Sequence, residues 1–262
     1  MSEPLFEARD GRYMPSPHTR GPWDAGSQHG GAPAALLARA IERLEPGDDM
    51  LVARVTYEFL GPVPLAPLAA EARVLRAGGR FQLVEAELGT ETGVIVRARA
   101  VRLRRGAVEL PAVALAPPGV PCPGPEAARH TPFPADTGEE GFHRTGMEIR
   151  WVEGSYAEPG PARTWFRFAR PLLGEETPSP VQLVAAAADF GNGVSRVLDF
   201  DSHLFVNTDL TIHLHREPAG EWVLLDSETI ADPAGVGMSR SALYDTEGPI
   251  GLAAQTLFVE ER

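Results

Sequence analysis

Apolar positions along this chain follow two periods, and each period occurs twice. From Gly31 to Leu44 the apolar residues Leu36, Leu37, Ala40, Ile41 and Leu44 recur at helical spacing. Pro33 fits the first helical turn, where no N–H is needed, and Pro46-Gly47 provides a stop. Strand-like runs follow at 51–60 and 69–88, broken at Ala77-Gly78-Gly79 as in a hairpin turn, and at 93–103. Residues 1–28 read as mostly irregular.

The second half repeats the order. Strand-like runs at 147–152 and 164–168 lead to a helix over 180–189, stopped by Gly191-Asn192-Gly193. Strands are expected at 204–215, 222–230, 237–244 and 251–259, with Asp245-Thr246-Glu247-Gly248 as the last hairpin turn. Val55, Tyr57 and Phe59 alternate before Pro62, as Leu210, Ile212 and Leu214 do before Pro218. Phe59 and Leu214 lie 155 positions apart and the two prolines 156, so the halves register with one inserted residue. A period this long is a domain-sized duplication, because solenoid units repeat every ~20–50 residues. The expected organisation is an N-terminal unit over 1–105, a proline-rich, poorly ordered linker over 106–145, and a C-terminal unit over 146–262. Each unit is α+β: one helix wrapped by an antiparallel sheet, since short connections favour meanders over alternating βαβ units.

Composition narrows the function. A net charge of −12 argues against nucleic acid as a partner, which requires a basic footprint. No apolar run reaches the ~20 residues of a membrane span, and the N-terminus lacks the order of a secretion signal. The single cysteine, Cys122, excludes an internal disulfide and reads as an inert thiol. Together these place the chain in the cytoplasm. His213 and His215 alternate with core positions and read as exposed, so no metal site and no cofactor is expected.

Several stretches then point to one family. In the first half these are Gln28-His29-Gly30-Gly31, the strand Val55 to Pro62, and Leu75 to Phe81; in the second, Asp209 to Arg216, Ser227-Glu228-Thr229 and Ala254-Gln255-Thr256. In this order they resemble the acyl-CoA thioesterase II family and its thioesterase-like relatives, which have a double hotdog fold. The resemblance covers nearly the whole chain except the linker and the extreme N-terminus. It implies hydrolysis of an acyl-CoA to a free acid and CoA, with Asp209, Thr229 and Gln255 holding the hydrolytic water. His29 departs from the family's glycine-rich stretch, which bears on substrate preference.

The chemistry is coherent on its own terms. A carboxylate can orient and deprotonate water in place of a covalent nucleophile, while a hydroxyl and an amide fix it by hydrogen bonds. Gly30 and Gly31 before the first helix let a thioester oxygen approach backbone N–H groups at a favourable dipole. Leu36, Tyr57, Phe59 and Phe81 are expected along the acyl tunnel. At the two offsets, Arg54, Arg73 and Arg99 oppose Asp209, Thr229 and Gln255, so the polar trio belongs to one half alone; these arginines could hold part of the CoA moiety.

Alternatives stay open. Asp189 is a competing carboxylate, explained equally by local capping with Asn192. His29 either polarises the thioester or simply precedes the helix. The Asp24-x4-His29 spacing resembles the dyad of hotdog enoyl-CoA hydratases and dehydratases, and a non-catalytic acyl-group binding protein is the third reading. One chain holds both hotdogs, so a monomer is workable and a homo-oligomer is also open.

Overall fold

A computed structural model describes residues 2–45, 49–130 and 140–262. The chain begins with a hairpin, β1 (Phe6–Arg9) and β2 (Arg12–Pro15), where an irregular segment was expected. Its turn is Asp10-Gly11, both at positive φ (52° and 74°), the pair that a tight hairpin demands. Leu5 and Phe6 are fully buried, and backbone bonds from Leu5 and Phe6 to Pro171 and Leu172, and between Tyr13 and Leu68, tie this hairpin to both halves.

Helix α1 (Gly31–Glu42) is followed by β3 (Met50–Phe59), β4 (Ala69–Arg76), β5 (Phe81–Thr90) and β6 (Gly93–Arg104). After the inter-half segment come β7 (Met147–Ser155), β8 (Glu158–Phe168), α2 (Pro180–Ala188) and a short α3 (Gly191–Val194). The chain closes with β9 (His203–Asn207), β10 (Asp209–Leu214), β11 (Val223–Asp232), β12 (Val236–Asp245) and β13 (Gly248–Glu261). The run expected as one strand over 204–215 is two. At the break Asp209 Oδ1 accepts the Thr256 N–H (2.9 Å), and Thr208 N–H binds Thr256 O (3.0 Å), so the chain leaves one ladder before joining the next.

The ladders between these strands are antiparallel, and the large sheet runs in the order β4-β5-β6-β3-β10-β13-β12-β11-β8-β7, with β9 on β13. The halves join through β3 and β10, where Thr56 pairs with Thr211. The ladders fix the internal register. Thr56 pairs with Arg99, Arg99 with Glu85, and Glu85 with Arg73; Thr211 pairs with Ala254, Ala254 with Arg240, and Arg240 with Glu228. The 155-residue offset therefore holds across these strands without the inserted residue. Arg73 is equivalent to Glu228 and Arg99 to Ala254, which corrects the expected pairing with Thr229 and Gln255.

The corrected register shows where the halves diverge. Ser227, Thr229, Ser239, Ser241 and Gln255 are all buried on the second half's inner face. Their first-half equivalents at this offset are Ala72, Val74, Val84, Ala86 and Ala100. The polar set forms a cradle under α3: a Cβ on Gly191 would lie 3.0 Å from Gln255 Oε1, 3.0 Å from Ser241 Oγ and 3.2 Å from Ser239 Oγ.

The two long helices lie against each other in the lap of the sheet. Small residues permit the approach, and a Cβ on Gly31 would come within 2.5 Å of Ala186 O. The start of α1 meets the end of α2, and the start of α2 meets the end of α1. At the latter contact Glu42 accepts hydrogen bonds from Ser179 Oγ (2.7 Å) and Gln182 Nε2 (2.9 Å). Burial pushes the Glu42 carboxyl above its usual range, outweighing those two bonds. A carboxyl raised in the folded state contributes stability that is present in acid and lost as pH rises through its folded pKa. Glu42→Gln should therefore melt about 2–4 °C above the parent at pH 8 and lose that advantage near pH 4 in calorimetry.

The segment expected as a poorly ordered linker is in part core. Phe142 is fully buried, and Trp165 Nε1 donates to Pro123 O (3.0 Å) on the outer face of β8. Val120, Cys122 and Ala128 cover Trp165, Trp222 and Leu224. Burial pushes the Cys122 thiol up. Pro46 and Gly47, expected to stop α1, fall outside the described residues, as do Pro132 and Pro134. Among the described residues no helix is long and apolar enough to cross a membrane.

Candidate active site

The contact between the start of α1 and the end of α2 places an imidazole against a carboxylate. His29 Nδ1 lies 2.8 Å from Asp189 Oδ2, with the side chains 11% and 3% exposed. A short approach of this kind requires a proton between the two atoms, so Nδ1–H donates to the carboxylate, which leaves Nε2 as the acceptor nitrogen whenever the ring is neutral. Asn207 Nδ2 donates to the other carboxylate oxygen at 2.9 Å. The ring stacks on Phe190, centroids 4.2 Å apart. A Cβ at residue 30 would sit 2.8 Å from Asp189 Oδ2, so any side chain there would displace the carboxylate.

This pair lies at a cavity of about 520 Å³ between the halves. The first half contributes His29, Gly30, Phe59, Pro62 and Val63; the second contributes Asp189, Phe190, Asn192, Val194 and Asn207. An aromatic wall adjoins them. Trp23 meets Phe200 at 5.1 Å and Phe205 edge-on at 5.0 Å, and Tyr156 stacks on Phe200 at 5.7 Å. A few polar groups, among them His29, Asp189 and Asn207, face a largely apolar hollow, the usual form of a small-molecule site.

The residues expected to hold the water are placed elsewhere. The Asp209 carboxylate is committed to the Thr256 N–H, and Asp209 does not line the cavity. Thr229 Oγ1 bonds Ser195 Oγ at 2.7 Å. Gln255 accepts the Asn192 N–H (3.1 Å) and donates to Asp189 O (3.2 Å), so it braces the turn that carries the carboxylate without reaching the cavity. Of the expected acyl contacts, Phe59 lines the cavity. Leu36 and Tyr57 are buried in the core, and Phe81 lies under Arg76. Gly31 packs on α2 instead of facing ligand. Arg73 and Arg99 both pair with Glu85, so their charges are engaged.

The Asp24-His29 dyad does not form: Asp24 is exposed and accepts from Ser27 Oγ (2.8 Å), which lowers its pKa, while His29 turns to Asp189. His143 also lines the cavity and was missed, because it lies in the stretch read as linker.

Two tandem units, each a helix wrapped by an antiparallel sheet, define a double hotdog protein with a site between its halves. The acyl-CoA thioesterase N-terminal domain matches residues 19–103 and the C-terminal domain residues 125–259, so the chain belongs to the acyl-CoA thioesterase family. It is an acyl-CoA thioester hydrolase. Solved structures agree in fold. A candidate thioesterase II of Thermobifida fusca is 20% identical, with a TM-score of 0.75 over 97% of this chain and 94% of that one. A TesB protein of Mycobacterium avium subspecies paratuberculosis is 16% identical, with a TM-score of 0.69 over 97% and 95%. The acyl-CoA thioesterase II TesB2 of Mycobacterium marinum is 18% identical, with a TM-score of 0.60 over 90% and 91%. No curated protein matches the sequence.

Proposed function

We propose that His29 and Asp189 form the hydrolytic dyad of this thioesterase. The observation that carries the reading is their 2.8 Å contact at the edge of an apolar cavity. Asp189 holds the ring, His29 Nε2 takes a proton from water, and the water oxygen adds to the thioester carbon. The C–S bond then breaks, and the imidazolium returns its proton to the CoA sulfur, giving the free acid and CoA-SH. Positioned proton transfer of this kind contributes about 10²–10⁴ in rate. The Gly30 N–H opens α1 at the cavity and has no partner among the described residues, so it can donate to the thioester oxygen as charge develops.

The aromatic wall receives the acyl group. We assign the reaction to lipid metabolism in the cytoplasm, consistent with an acyl-CoA substrate and a lone thiol, and retain 1–105, 106–145 and 146–262 as the functional division. The cavity is complete within one chain, so hydrolysis needs no second copy.

The test is thiol release from acyl-CoAs of short to long chain, beside a crotonyl-CoA hydration assay. Release without hydration is the expected result. Hydration without release would move the chemistry to a hydratase, and binding without either would leave an acyl-group binding protein.

A further inference from the structure

The segment between the halves supplies a second imidazole to this cavity. Residues Phe142–Gly146 form a single π-helical turn, a rare conformation that recurs at functional sites. Its geometry is fixed from several sides. Thr145 Oγ1 accepts the Gly141 N–H (3.2 Å), donates to Gly141 O (3.0 Å) and bonds His18 Nδ1 (2.8 Å). The Phe142 N–H binds Arg20 O (2.9 Å), and the Gly146 N–H closes the turn on Gly141 O (3.2 Å). Phe142 packs its ring against His29 (5.2 Å) and Phe190 (5.6 Å), registering the turn on the dyad itself. The next residue, His143, lines the cavity with His29, Gly30 and Asp189.

We propose that His143 is a further catalytic residue, a neutral imidazole whose N–H donates to the thioester carbonyl oxygen and stabilises the oxyanion. The proposal rests on the dyad reading above. Three features support it. An oxyanion needs donors already in place before charge develops, and a turn locked at both ends provides that. Burial, reinforced by His29 and Arg144, pushes the His143 pKa down to about 3, so the ring stays neutral and keeps an N–H at working pH. A neutral donor also avoids placing a second cation beside His29, which must itself become positive during the reaction.

The experiment compares His143→Phe and His143→Leu, which lack a donor, with His143→Gln, which keeps a neutral N–H. Loss of one oxyanion donor predicts that kcat for thiol release falls about 10²–10³-fold in the donorless variants with KM within about twofold, and that Gln recovers at least about tenfold of it. The loss should be constant from about pH 5 to about pH 9, because His143 does not titrate there; Asp24, His29, Arg144, Tyr156 and Asp189 are common to all the variants and cancel in the ratio. Imidazole ¹⁵N signals of the unaltered protein should show one ring neutral throughout that range, a readout independent of whether any variant folds. Full activity in His143→Phe, Gln no better than Phe, or a His143 ring that protonates near pH 6.5 would each overturn the proposal. If the parent releases no thiol from any acyl-CoA, the dyad reading fails; if the parent is active, His29→Ala inactive and His143→Phe active, only the role of His143 fails.

Discussion

Asp189→Asn should lower kcat for thiol release about 10²–10⁴-fold while Asp209→Asn stays within about twofold of the parent. The two aspartates differ in what they touch. Asp189 is 4% exposed, faces the cavity and meets His29 Nδ1, whereas the Asp209 carboxylate serves the Thr256 backbone at a strand break. An asparagine at 189 can still accept from Asn207, so the fold should survive. It can no longer hold the ring as the Nδ1–H tautomer with its negative charge or stabilise the imidazolium that forms. The loss should therefore fall on kcat with little change in KM, and melting should be nearly unchanged. A fully active Asp189→Asn protein would refute the dyad.

The second large effect concerns stability. Asp245 is fully buried at the β12–β13 turn, where its carboxylate meets Arg216 Nη1 (2.6 Å) and Nη2 (2.5 Å). It also accepts the N–H groups of Ala219 (2.9 Å), Glu247 (2.9 Å) and Gly248 (3.1 Å). Removing the carboxylate leaves three backbone donors without their acceptor and Arg216 without its counter-charge, with only the carbonyls of Glu217, Gly248 and Pro249 to bind the guanidinium. Asp245→Ala should thus lose about 3–5 kcal/mol in denaturant unfolding. Burial alone would raise the Asp245 carboxyl, but the Arg216 guanidinium and the Ala219 and Glu247 N–H groups outweigh it, and the net pKa is lowered. A carboxyl lowered in the folded state stabilises above its unfolded pKa and ceases to do so as pH falls through its folded one. The parent should accordingly lose stability more steeply below about pH 4 than Asp245→Ala does. Equal acid profiles for the two proteins would refute this account.

Much of the fold was legible because its signals are local. Apolar spacing marked α1 and α2, alternation marked most of the strands, and Gly78-Gly79 and Asp245 to Gly248 marked two hairpins. The β1–β2 hairpin carried an equally local signal in Asp10-Gly11, overlooked because the strands on either side are only four residues long. The site was legible in part. His29 and Gly30 were marked by a glycine pair before a helix, and Asp189 was one of two carboxylates. Nothing local separated it from Asp209. Thr229 and Gln255 stood out as polar residues in apolar strands, but the same signal fits the cradle that holds α3.

What the sequence by itself determined is therefore the duplicated α+β architecture, since helical and strand periods are properties of neighbouring residues. Tertiary structure alone decided which of those residues meet. His29 and Asp189 are 160 positions apart, and they touch because small residues let two antiparallel helices pack end against start. Ladder register placed Thr229 and Gln255 beneath α3, and a π-turn in the segment between the halves brought His143 to the cavity. Packing distance, hydrogen-bond commitment and burial are set by contacts between remote segments, and no local period encodes them.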